Sequence, residues 1–123
     1  MFMEGRILIA DGSHAATLLM QRHFEASGYE VEVTHDGLDA FELGLDGSFD
    51  LAFIDHFLPT MLGAEVLQKW TESGVDMPTI IVSNLDDESM IVRCLDLGAA
   101  DFIHKPFNTS ELALRAKIHL ARR

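Results

Sequence analysis

Two apolar runs in this sequence end on an acid. In "RILIADGSH" (6–14), Ile7, Leu8, Ile9 and Ala10 lead straight into Asp11, and in "DLAFID" (50–55) a second run ends on Asp55. A carboxylate at the end of a buried strand needs water, a cation or hydrogen-bond donors around it. Two further segments end on polar groups: "PTIIVS" (78–83) on the Ser83 hydroxyl and "ADFIHK" (100–105) on the Lys105 ammonium. Two acids, a hydroxyl and an ammonium at four strand ends are the makings of a cation-binding or ion-paired site.

The elements that must position these groups alternate strand and helix five times. Continuous apolar runs suit strands buried on both faces, as in a parallel sheet. Strand one is expected over about 5–10, followed by a helix capped by Ser13 and ended by Gly28. "YEVEVT" (29–34) alternates and reads as a half-buried strand near a sheet edge, and a helix over about 37–46 follows. Strand three covers 50–55, and a helix over about 63–73 places Val66, Leu67 and Trp70 on one face. Strand four is 78–83, a helix spans about 86–97, strand five is 100–105, and a last helix starts near Thr109 or Ser110 with Glu111 in its first turn. Five βα units with short connections imply a parallel sheet with helices on both faces and right-handed crossovers. In open sheets of this kind the site lies beyond the carboxyl ends of the strands, where all four polar groups converge.

The bulk numbers agree with one globular domain of 123 residues, 48% hydrophobic and 24% charged. A net charge of -11 argues against nonspecific nucleic-acid or anionic-membrane binding. Cys94 is the only cysteine, so no intramolecular disulfide can form, and an intracellular, cytoplasmic setting is expected. Cys94 itself reads as a small buried thiol in a helix. No apolar run is long enough for a transmembrane helix, and Glu4 spoils a signal-peptide reading of "MFMEGR".

The ordered set formed by Asp11, "DLAFIDHFLPTMLG" (50–63), "PTIIVSN" (78–84) and "GAADFIHKPF" (98–107) resembles the response-regulator receiver domains of the CheY-like family. The resemblance covers nearly the whole chain, so one receiver domain is expected over 1–123, as an excerpt of a longer protein would give. It implies a flavodoxin-like, doubly wound (βα)5 fold, with a five-stranded parallel sheet in strand order 2-1-3-4-5. It implies Asp55 as phosphoacceptor, since a carboxylate can attack a phosphohistidine to give an acyl phosphate. Lys105 matches the family lysine that balances the acids and contacts a phosphoryl oxygen, and the Lys105–Pro106 peptide is expected to be cis. Ser83 matches the switch hydroxyl on the phosphoryl group. Phe102 matches the switch aromatic, although a phenylalanine in a strand is most often simply packed.

The departures carry information too. The family usually has two adjacent acids after strand one, and here Asp11 is followed by Gly12. Asp11 takes the place of the first acid, which typically acts through water, and the direct magnesium ligand is the one missing. Leu62 replaces an acid before the loop glycine, and Asn84 stands beside the phosphoryl pocket where Ala or Gly is usual. The expected magnesium donors are therefore Asp11, Asp55 and the Phe57 main-chain carbonyl, a thin set for an ion that prefers six oxygens. Asn84 and Phe57 could also hinder an attacking water and slow phosphoryl turnover. The six histidines form no zinc motif and read as scattered surface residues, with His56 and His104 nearest the rim; the six methionines read as packing.

Partners follow from the resemblance: a sensor histidine kinase or a phosphotransfer domain as phosphodonor, with neither membrane nor direct nucleic-acid binding by this domain. Arg93, Asp96, Asp101, Glu111 and Arg115 put both charge signs on the fourth helix, fifth strand and fifth helix. These elements resemble the homodimer surface of the winged-helix regulator branch, against the plainer reading of a solvated charged face. The domain is expected to be a phosphoacceptor that assists only its own transfer and dephosphorylation, and so not an enzyme. A pseudo-receiver that binds proteins without phosphorylation is the alternative, supported by Gly12 and Asn84. A haloacid-dehalogenase-type phosphatase would need an Asp where Ser13 stands. FMN binding would need a phosphate-cradling loop where "DGSH" opens with an acid.

Overall fold

Each apolar run forms a strand, and each strand ends one residue short of its polar terminus. In the computed structural model, which describes residues 5–122, the order is β1 (Arg6–Ala10), α1 (His14–Ala26), β2 (Glu30–Thr34), α2 (Gly37–Gly44), β3 (Leu51–Ile54), α3 (Gly63–Glu72), β4 (Thr79–Ser83), α4 (Glu88–Asp96), β5 (Asp101–His104) and α5 (Thr109–Ala121). Ser83 is the exception and lies within β4. The five strands form one parallel sheet in the order β2-β1-β3-β4-β5. Residues 1–4, where the signal-peptide reading was excluded, and residue 123 lie outside the described residues. Among the described residues, no helix is long and apolar enough to cross a membrane.

Strand alternation divides the core in two. Leu8, Ala10, Ala52, Ile54 and Ile81 face one way and pack with Ala40 of α2, Val66, Leu67 and Trp70 of α3, and Cys94 of α4. Ile7, Ile9, Leu51, Phe53, Ile80, Val82 and Ile103 face the other way, against Met20 and Phe24 of α1 and Leu112 and Ala116 of α5. Burial pushes the Cys94 thiol up, which keeps it protonated and inert.

Flanking polar residues set where several helices begin. Ser13 accepts from the Ala16 amide, and Asp87, expected inside α4, accepts instead from Ser89 and Met90. The last helix starts at Thr109 because Asn108 accepts from Ser110 and Glu111. Gly44 ends α2 two residues early, with the Trp70 indole packed where a side chain would stand.

Candidate functional site

Backbone pairing continues one residue past the strands on the carboxyl side, and this fixes the rim. The Asp11 amide donates to the Thr34 carbonyl, the Asp55 amide to Ala10 and the Lys105 amide to Ser83, at 3.1, 2.9 and 2.9 Å. Three of the four expected polar groups are thereby brought to one place. Asp11 and Asp55 are 3% and 7% exposed. The Lys105 Nζ stands between them, 2.6 Å from Asp11 Oδ2 and 3.2 Å from Asp55 Oδ2.

The second oxygen of each acid is held by the loop that follows it. Asp11 Oδ1 accepts from the Ser13 amide at 2.8 Å, and Asp55 Oδ1 from the Phe57 amide at 3.2 Å. Burial pulls the Lys105 ammonium down, but hydrogen bonds and charge from Asp11 and then Asp55 outweigh it, so Lys105 sits above its usual range. The cluster is two anions around one firmly charged cation. The Lys105–Pro106 peptide is cis.

Ser83 is fully buried at the end of β4, and its Oγ accepts from the Leu85 amide at 3.3 Å, leaving its own O–H to donate. Asn84 is exposed at the rim. Phe102 is half-buried, packs against the α2–α3–α4 side of the core and lies 4.9 Å from the His104 ring. Of the charged residues on the α4–β5–α5 face, three meet within the chain: Arg115 pairs with Asp101 at 3.0 Å and with Glu111 at 3.8 Å. Arg93 and Asp96 are exposed.

The reading of the histidines as scattered surface residues needs correction. His56 is 4% exposed, and its Nδ1 accepts the Ala64 amide at 3.3 Å, at the start of α3. Burial pulls His56 below its ordinary range, partly opposed by the Asp55 charge. His119 is also buried, with Nε2 3.0 Å from Asp101 Oδ2. His14 and His35 stack with ring centroids 3.7 Å apart, and Thr17 Oγ1 is 3.1 Å from His35 Nε2.

The loop between β3 and α3 is tied down along its length. The Gly63 amide donates to the His56 carbonyl at 2.7 Å, and the Gly37 amide to Pro59 at 2.9 Å. Thr60, at φ 67°, donates its hydroxyl to Asp36 Oδ1 at 2.7 Å and accepts from the Leu38 amide at 3.0 Å. A side chain at Gly63 would collide with the Asp55 carbonyl, and one at Gly37 with that of Met61. Sequence reasoning missed His56 and Thr60. One signal was available: Leu62 stands at the helix N-cap with no side chain able to accept a hydrogen bond, so the first turn of α3 had to find an acceptor elsewhere.

The donor set can be tested against magnesium. Among the described residues no cluster of three His, Cys, Asp or Glu side chains is built to hold a metal ion. What the rim supplies is two carboxylates and the Phe57 carbonyl, which no protein donor takes among the described residues. All are hard oxygens, the type magnesium selects, and water completes its shell in sites of this kind. A Cβ at Gly12 would meet only Pro59 Cδ, at 3.9 Å. The second acid is therefore absent although there is room for it. The residues present fit a hydrated magnesium ion on few protein ligands.

Comparison with known proteins agrees with this fold. Residues 7–117 match the family described as the response regulator receiver domain. The chain is 34% identical over 120 residues to the response regulator MprA of Mycobacterium ulcerans, covering 98% of this chain and 52% of that protein. It thus spans about half the length of the curated relatives it matches. Among solved structures it is similar to a CheY-like receiver domain protein from Methanospirillum hungatei (TM-score 0.91, 31% identity, covering 96% of this chain and 94% of that one). It is also similar to the Francisella response regulator 1452 receiver domain (TM-score 0.90, 28% identity, covering 97% and 98%). The chain belongs to the response regulator receiver domain family of two-component systems.

Proposed function

We propose that this domain, over residues 1–123, accepts a phosphoryl group on Asp55 from the phosphohistidine of a sensor histidine kinase or phosphotransfer domain. Acceptance then changes a protein-binding surface. The observation that carries this reading is the single ammonium of Lys105 bridging Asp11 and Asp55 at the end of a buried strand. In the transfer an Asp55 carboxylate oxygen bonds to phosphorus as the P–N bond breaks, and the imidazole nitrogen keeps the electron pair. Lys105, steadied by Asp11, follows the charge from the carboxylate to a phosphoryl oxygen. The Ser83 hydroxyl donates to a second oxygen, and Asn84, the next residue, borders the phosphate-binding pocket.

Receiver domains of this family generally bind Mg2+ in the acid pocket. Here Asp11, Asp55 and the Phe57 carbonyl would hold it, and when bound it neutralises charge on the phosphoryl oxygens. With Gly12 in place of an acid, binding is weak. Asn84 follows Ser83, and the half-exposed Phe57 follows the acceptor by two residues; with bulk at both positions turnover is expected to be slow, and the domain acts as a phosphoacceptor rather than an enzyme. Phe102 reports the change by shifting its packing. A cytoplasmic setting goes with a histidine-kinase donor.

The test is to incubate the protein with phosphoramidate and Mg2+ and weigh it. The wild type gains the mass of one phosphoryl group and Asp55→Asn gains none. A wild type that stays unmodified, or an equally labelled variant, overturns the reading.

A further inference from the structure

We propose that His56 is a positioning residue: it clamps the β3–α3 loop so that the Phe57 carbonyl and Asp55 are already in place before an ion or phosphoryl group arrives. The proposal rests, for its magnesium and phosphoryl readouts, on the acid pocket serving as proposed above. The clamp itself is carried by geometry. One residue takes both of the first two amides of α3: its carbonyl accepts from Gly63 at 2.7 Å and its Nδ1 from Ala64 at 3.3 Å. Among the described residues no other side chain caps this helix, and Leu62 at the N-cap has no acceptor.

An imidazole accepting at Nδ1 is neutral there, and its proton lies on Nε2. A neutral acceptor suits a helix N-terminus, where free amides carry a partial positive charge. The ring is buried and lies edge-on to Phe57, with centroids 5.0 Å apart. His56 is thus joined to Asp55 on one side, to Phe57 on the other, and to the start of α3 across the loop. The Phe57 amide in turn holds Asp55 Oδ1 at 3.2 Å, so the clamp reaches the acceptor carboxylate through one residue. Gly63 allows the close return, because a side chain there would collide with the Asp55 carbonyl. A pocket with Gly12 where a second acid would stand gains from a preorganised loop, since less ordering is left for ligand binding to drive.

Two variants separate clamping from mere filling of space. The side-chain oxygen of an asparagine and the Nδ1 of a histidine lie the same number of bonds from the main chain, so His56→Asn keeps an acceptor for Ala64. His56→Leu fills the site without one. Both lose the ring contact with Phe57, so a fall in thermal stability is common to both and does not discriminate. The measurements are amide hydrogen exchange at Ala64, Mg2+ affinity by calorimetry, and labelling rate by phosphoramidate as a function of Mg2+.

In His56→Leu, Ala64 should exchange about fivefold faster or more, as for loss of a helix cap. Its Mg2+ affinity should fall about tenfold, as when an outer-shell partner of a metal ligand is removed. Its labelling rate should recover at saturating Mg2+. His56→Asn should stay near wild type in all three. A His56→Leu protein that matches wild type in Ala64 exchange and Mg2+ affinity overturns the clamp, as does a His56→Asn protein as impaired as His56→Leu. If wild type takes no phosphoryl label at all, the phosphoacceptor reading fails, and the exchange and Mg2+ measurements still decide the clamp.

Discussion

The two loops that flank the acid pocket are built in opposite ways. The turn from β1 to α1 is short and open: Asp11 bonds to the Ser13 amide, Ser13 caps the helix, and a side chain at Gly12 between them would touch only Pro59, in ordinary contact. The loop from β3 to α3 is long and fastened to α2 through Pro59 and Thr60, and to α3 through His56. Charge has been removed on the open side, and geometry is held on the other. Charge and shape are therefore separable in this pocket. The acid count sets how strongly a cation is drawn in, whereas the fastened loop sets whether the remaining oxygens point at it.

Substitutions can break or sharpen this contrast. The largest effect should come from Lys105, which ties the two sides together. Lys105→Met leaves two buried carboxylates facing each other and should cost about 3 kcal/mol at pH 7. Urea unfolding at pH 7 measures that loss, and a variant as stable as wild type would mean that Lys105 does not tie the two sides together.

Next are the glycines. Gly63→Ala forces a Cβ against the Asp55 main chain and should cost about 2 kcal/mol. Gly12→Ala should stay within about 0.5 kcal/mol of wild type, as at an open surface position. Equal costs in thermal or urea unfolding would erase the contrast between the loops. On the charge side, Gly12→Asp adds a direct oxygen ligand and should tighten Mg2+ about tenfold by calorimetry. A wild type that already binds as tightly would mean that another group supplies the missing ligand.

The smallest effect lies away from both loops. Burial pushes the Asp101 carboxyl up, but bonds from His119, the Phe102 amide and Arg115 outweigh it and hold it below its usual range. A carboxylate lowered in the folded state contributes stability that is present above its unfolded value, near pH 4, and lost as pH falls through the folded one. Asp101→Asn should therefore be less stable than wild type at pH 7 and converge on it in strong acid, again by urea unfolding.

Much of this architecture was legible in the sequence, because apolar runs and their polar ends are local signals. Asp11, Asp55 and Lys105 could be placed at one rim once the runs were read as parallel strands. The sheet order came from the family resemblance. What stayed hidden depends on chain reversal. Nothing in "DHFLPTMLG" says that the chain doubles back at Gly63 tightly enough for the His56 ring to reach the Ala64 amide. Likewise Thr60 meets Asp36 across 24 residues, and His119 meets Asp101 across 18. Composition marks these residues as polar and exposed, and only the packing of one element on another buries or binds them.

The strand order has a further consequence. It leaves β2 and β5 as the open margins of the sheet, each offering unpaired backbone groups that could recruit another chain. Both margins are defended. β2 carries Glu30 and Glu32 exposed among its half-buried valines; Glu30 pairs with Arg6 at 3.1 Å, and Glu32 would present like charge to a second copy approaching strand to strand. β5 is four residues long and runs, one residue on, into Pro106, which has no amide to donate. With a net charge of -11 on the whole chain, these edges protect the domain from aggregating through its own sheet.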